Sequence, residues 1–146
     1  MSKKLLACVI VIVFALSIFG CGTSSEKAEK TIDIDITSLS GEMVHSEIEN
    51  ILSSPDDYVG KTIKLSGLFI SSASQYSTGK PTDQVYYACM VIDQDDCCQR
   101  FVEFVPDASV KFLPKVGDSI TITGELQLYY NGQSKYCHLV NAEFMQ

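Results

Sequence analysis

The chain has 146 residues, 46% of them hydrophobic, with six cysteines and eighteen acidic against eleven basic side chains. That length builds one ordinary domain and leaves too little chain for two independent cores. A net charge of −7 argues against a nucleic-acid binder, which needs a basic surface to neutralise phosphates.

The apolar residues are unevenly placed. Lys3 and Lys4 precede an apolar run from Leu5 to Phe19, broken only by Ser17. The run falls short of the ~20 residues of a membrane-spanning helix. A positive start, a short apolar centre and a small residue at its end form the pattern of a secretory signal peptide. Ile18-Phe19-Gly20-Cys21 resembles the lipobox of bacterial lipoproteins, in which the cysteine is lipidated and becomes the new N-terminus. The resemblance implies a lipoprotein signal peptide over 1–20, a lipidated Cys21, and a location on the extracytoplasmic face of the cell membrane. Two or more acyl chains make such an anchor stable, whereas one binds only marginally. The competing readings are a non-cleaved N-terminal anchor and an ordinary secreted protein. Gly22-Thr23-Ser24-Ser25-Glu26-Lys27 opens a polar, flexible tether that extends over 21–42. Loss of residues 1–20 removes Lys3 and Lys4 and moves the net charge from −7 to −9. Such a domain repels phosphates and anionic headgroups and favours a cation or a neutral, aromatic-compatible ligand.

Ile32-Asp33-Ile34-Asp35-Ile36 alternates with period two, the mark of a short strand or an extended arm lying on the domain. Ser40 fits a helix N-cap, and Glu42 suits the first turn. Val44, Ile48, Ile51 and Leu52 then share one helical face until Pro55 ends it, giving a helix over 41–53.

Val59-Gly60-Lys61-Thr62-Ile63-Lys64-Leu65-Ser66-Gly67-Leu68-Phe69 is echoed by Val116-Gly117-Asp118-Ser119-Ile120-Thr121-Ile122-Thr123-Gly124-Glu125-Leu126. Each copy reads as a turn followed by an alternating strand, with a glycine where a small barrel bends or bulges. Ile63, Leu65 and Phe69 face inward in one copy, and Ile120, Ile122 and Leu126 in the other. Further strands are expected over Gln84–Asp93, over Cys98–Val105 after a tight Gln94-Asp95-Asp96 turn, and over Lys135–Phe144 after the Asn131-Gly132 hairpin signal. Five strands with a helix at one end suggest a Greek-key barrel.

Pro55-Asp56-Asp57-Tyr58-Val59-Gly60-Lys61-Thr62-Ile63 resembles the entry to the first strand of bacterial OB-fold domains. Over about residues 43–146 the chain resembles small Gram-positive lipoproteins with such a domain, in which a cysteine pair follows the second strand, as Cys97-Cys98 do here. That pair is also similar to one in OB-like domains of permease-associated bacterial membrane proteins. The expected fold is therefore mainly β: a five-stranded OB-like Greek-key barrel with one short N-terminal helix. Pro106–Lys115 departs from the OB pattern, being too short and too proline-bracketed for a full helix, and the helix at 41–53 is the substitute at the barrel end.

The resemblance implies a ligand face across strands two and three and under the loops after strands one and four. Tyr76, Tyr86, Tyr87, Tyr129, Tyr130 and Tyr136 lie there, a set suited to stacking on a sugar, a peptide aromatic or a cofactor ring. The competing reading makes them boundary residues with buried rings and wet hydroxyls.

With Cys21 lipidated, the domain keeps Cys89, Cys97, Cys98 and Cys137. An even count in an exported domain favours disulfides, such as Cys97 or Cys98 to Cys137, or a vicinal Cys97–Cys98 bridge. Zinc held by the four thiolates with His138, and buried or reactive free thiols, are the alternatives. Neither His45 nor His138 lies near a nucleophile elbow or a phosphate loop, so no catalytic residue is assigned and no enzyme is expected. The leading function is a membrane-anchored, non-catalytic module that binds an unknown protein, peptide or small molecule and no nucleic acid. The second is a zinc-binding or thiol-redox module built on the four cysteines.

Overall fold

In the computed structural model, which describes residues 30–72, 85–92 and 98–145, the alternating Ile32–Ile36 segment docks as an arm. Its two-residue strand β1 (Ile34–Asp35) runs parallel to β2 (Thr62–Ser71). The polar half of the alternation holds it there. Thr62 N–H donates to the Asp33 carboxylate at 2.7 Å, and Lys64 Nζ to Asp35 at 3.0 Å. The apolar half enters the core, where Ile36, in a 3-10 turn over Ile36–Ser38, is buried.

The predicted helix forms as α1 (Gly41–Ser53), with Ser40 at its N-cap in extended backbone and Glu42 in its first turn. The Ser40 side chain accepts no capping bond; Val44 N–H closes the first turn by donating to Ser40 C=O at 2.9 Å. Ile48 and Ile51 sink fully into the barrel core, and Val44 and Leu52 pack at its margin. Glu49 on the same helix meets Arg100 at 2.6 Å. Pro55 stops the helix and starts a 3-10 turn over Pro55–Tyr58.

The remaining strands are β3 (Tyr87–Ile92), β4 (Gln99–Pro106), β5 (Ser119–Asn131) and β6 (Ser134–Phe144). With β1 they form a six-stranded mixed sheet in the order β1-β2-β3-β4-β6-β5, and β5 pairs back onto β2. The ring is uneven. β2 and β5 pair over seven residues, whereas β4 and β6 meet in parallel only at Phe104↔Leu139 and Pro106↔Ala142, with a shift between them. A second shift lies in β5 between Thr123 and Glu125, the bulge expected at Gly124. The six inward positions read from the repeat, Ile63, Leu65, Phe69, Ile120, Ile122 and Leu126, are all buried. Residues 107–118 carry turns and extended chain with no helix. Among the described residues no helix is long and apolar enough to cross a membrane.

The signal peptide over 1–20, Cys21, the start of the tether, Tyr76, the Gln94-Asp95-Asp96 turn and Cys97 lie outside the described residues, as do Gln84 and Asp93 at the expected ends of β3.

Candidate functional site

Strand parity decides which tyrosines share a face. Successive strand residues point to opposite sides of a sheet, so of two adjacent tyrosines only one can face outward over the barrel. On β5, Tyr129 faces the outer side with Gln127, opposite buried Leu126. On β6, Tyr136 and His138 face the same side, flanking Cys137, which packs against the core. The three outward rings form one stack. Tyr129 lies 5.4 Å from Tyr136 at an interplanar angle of 22°, and 4.6 Å from His138 at 29°.

The stack ends on a carboxylate. Glu103 lies on β4 between the inward residues Val102 and Phe104, so it faces the outer side. It accepts a hydrogen bond from the Tyr129 hydroxyl at 2.5 Å. Burial and the hydrogen bond to Glu103 push the Tyr129 phenol well above its ordinary value, so the hydroxyl stays a donor across physiological pH.

Beside this pair opens a cleft of about 400 Å³, lined chiefly by Val85, Tyr86, Glu103, Val105, Tyr129 and His138. No lysine or arginine is among its described lining residues. Apolar walls, ring faces and one carboxylate make a site for a ring-bearing ligand that is neutral or positively charged, since ring faces are electron-rich.

The candidate tyrosines thus divide. Tyr86 and Tyr129 line the cleft, and Tyr136 extends the stack. Tyr130 turns away and is 68% exposed. Tyr87 also lines the cleft, while its ring packs on the core, 5.7 Å from Phe69 and 6.2 Å from Phe104. Glu103 and His138 complete the cleft. Glu103 has no ligand-face signal of its own, because a lone glutamate in a strand reads as a solvated position, and the sequence marks His138 only as a possible zinc ligand. The usable signal for Glu103 was its outward parity between two buried apolar residues.

No disulfide joins two of the described cysteines, so a Cys98–Cys137 staple is not formed. Cys89 sits on β3 facing inward, fully buried and opposite Val102. Because β4 separates β3 from β6, Cys89 and Cys137 are two strand spacings apart, about 9–10 Å, beyond the ~7 Å limit for a bridge. Burial pushes the Cys89 thiol up to about 12, which keeps it protonated and a poor metal ligand. His138 and Cys137 face opposite sides of β6, so the sheet does not bring them into one coordination shell. Among the described residues no cluster of three or more His, Cys, Asp or Glu side chains could hold a metal ion.

No family model, no curated protein and no solved structure matches this chain.

Proposed function

We propose that the protein is an exported, lipid-anchored binding module, non-catalytic, whose OB-like barrel presents the Tyr129–Glu103 cleft to a ring-bearing ligand. Three observations support this reading. Lys3, Lys4, the Leu5–Phe19 run and Gly20-Cys21 form the pattern of a lipoprotein signal, which implies an anchor at Cys21 on the extracytoplasmic face. The ring β2-β3-β4-β6-β5, with β4 and β6 parallel and its other pairs antiparallel, supports the OB-like assignment. The cleft is lined by outward residues of β4, β5 and β6 and by Tyr87 and Phe104 from the core side, beside the residues that lead into β3.

The observation that carries the reading is the Tyr129–Glu103 hydrogen bond beneath a three-ring stack. It fixes one carboxylate against apolar ring surface and supplies both halves of recognition: a face for a ring and an acceptor for an N–H or O–H group. Lack of basic side chains in the lining and a chain charge of −7 direct the site away from anions.

The buried, protonated Cys89 gives the zinc or thiol-redox alternative no support, since both chemistries need a thiolate.

The test is a nuclear magnetic resonance titration of the full chain with benzylamine, a ring-bearing cation, and cellobiose, a neutral sugar. Ring signals of Tyr86, Tyr129, Tyr136 and His138 are expected to shift together and saturably with at least one probe. Ring signals that stay fixed with both probes would overturn the reading.

A further inference from the structure

A second feature lies away from this cleft, in the connection from β4 to β5. Phe112 is 89% exposed, an extreme value for a phenylalanine, and its neighbours Leu113 and Val116 are 41% and 47% exposed. Phe112 rims a groove of about 720 Å³ whose apolar wall is formed by Leu68, Met90, Ile92 and the half-exposed Met145. Such an apolar tip costs solubility unless something covers it.

The charges around the tip say what that is. Lys111 and Lys115 bracket Phe112-Leu113-Pro114, and neither carries an ion pair among the described residues, whereas Lys64, Arg100 and Lys135 each meet a carboxylate. The two acids at the base of the loop are turned to its own backbone. Asp107 accepts from Ser109 N–H at 2.8 Å, and Asp118 from Lys115 N–H at 2.9 Å. An acidic chain has therefore gathered two unneutralised cations around its most exposed phenylalanine.

We propose that this loop is a membrane-docking tip. Phe112 and Leu113 enter the boundary between headgroups and acyl chains, and Lys111 and Lys115 meet lipid phosphates. Apolar side chains at the interface with lysines reaching back to the headgroups is the arrangement a bilayer surface favours. The acidic remainder of the chain is repelled by anionic headgroups, so the tip is the face that can approach, and docking fixes the orientation of the barrel. The proposal goes beyond a lipid anchor and does not depend on one.

The sequence contains no tryptophan, so Phe112→Trp places a single reporter at the tip of the full chain. The protein is reconstituted with vesicles of 70% phosphatidylcholine and 30% phosphatidylglycerol, with and without brominated acyl chains. Blue-shifted emission quenched by brominated lipid is the expected result, reduced to less than about half when Lys111→Glu and Lys115→Glu are added. Emission that stays red and unquenched overturns the proposal. A blue shift that follows protein concentration without lipid also overturns it and assigns the tip to a second copy of the chain. Because the readout is depth at residue 112, it fails separately from the Cys21 anchor and from the cleft.

Discussion

Leu65 and Ile122 hold the same place in the two copies of the strand repeat, and they are paired with each other across β2 and β5. The copies therefore meet about a local two-fold. Gly67 pairs with Ile120 and Ile63 with Gly124, so each strand glycine sits opposite the first isoleucine of the other copy. The turns obey the same relation: Gly60 N–H donates to Leu126 C=O and Gly117 N–H to Phe69 C=O, both at 2.9 Å. The longest inter-repeat seam of the barrel is thus written twice in the sequence, and the two glycines of one copy can be separated by experiment.

A β-carbon at position 67 would collide with the Met90 carbonyl oxygen and lie 2.7 Å from Cys89 Sγ, both held by β3. Gly67→Ala is therefore expected to lower stability by about 1–3 kcal/mol through overpacking. At Gly60 nothing lies within 4 Å, but its φ of +80° is unfavourable for alanine, at a cost of about 1–2 kcal/mol. Urea denaturation checks both. Only Gly67→Ala should also perturb the packing of Cys89, seen as faster thiol labelling in the folded state.

Cys89 and Tyr129 are expected to make the fold sensitive to alkali. Burial raises the Cys89 thiol from 9.0 to about 12, so the folded state keeps its proton where the unfolded chain has lost it. The stabilisation is complete below pH 9 and is lost as pH rises from 9 towards 12, by about 1.4 kcal/mol per pH unit. Tyr129 is raised by burial and by Glu103, and it adds a second loss that begins near pH 10. Denaturation midpoints should stay level from pH 8 to about 9 and fall from there to pH 11, and Cys89→Ala should flatten the first part of that fall. A midpoint that does not change across this range would contradict the assignment.

Cys21→Ala should abolish lipid attachment. Fractionation of cells is expected to move the protein out of the membrane pellet, and intact mass should lose the acyl increment. A variant that stays fully in the pellet would remove the anchor from the account.

The strands and the helix were legible because their patterns are local. Alternation marked β2 and β5 to within a residue or two, Asn131-Gly132 marked the β5–β6 hairpin, and Val44, Ile48, Ile51 and Leu52 marked the buried face of α1. The site was only half legible. Tyr86-Tyr87 and Tyr129-Tyr130 are adjacent in the sequence, and period two lets just one of each face outward over the barrel. Glu103 joins Tyr129 only because β6 lies between β4 and β5, and the parallel β4–β6 pairing has no local signature in either strand. Cysteine count and compartment favour bridges, yet the geometry turns on β4 standing between Cys89 and Cys137.

The role of the cleft rests on Glu103, and a calorimetric titration of benzylamine into the full chain and its Glu103→Gln variant tests it most directly. Removal of the charge should weaken binding about tenfold while leaving the thermal midpoint within a few degrees. Equal affinity for the two proteins would contradict the account.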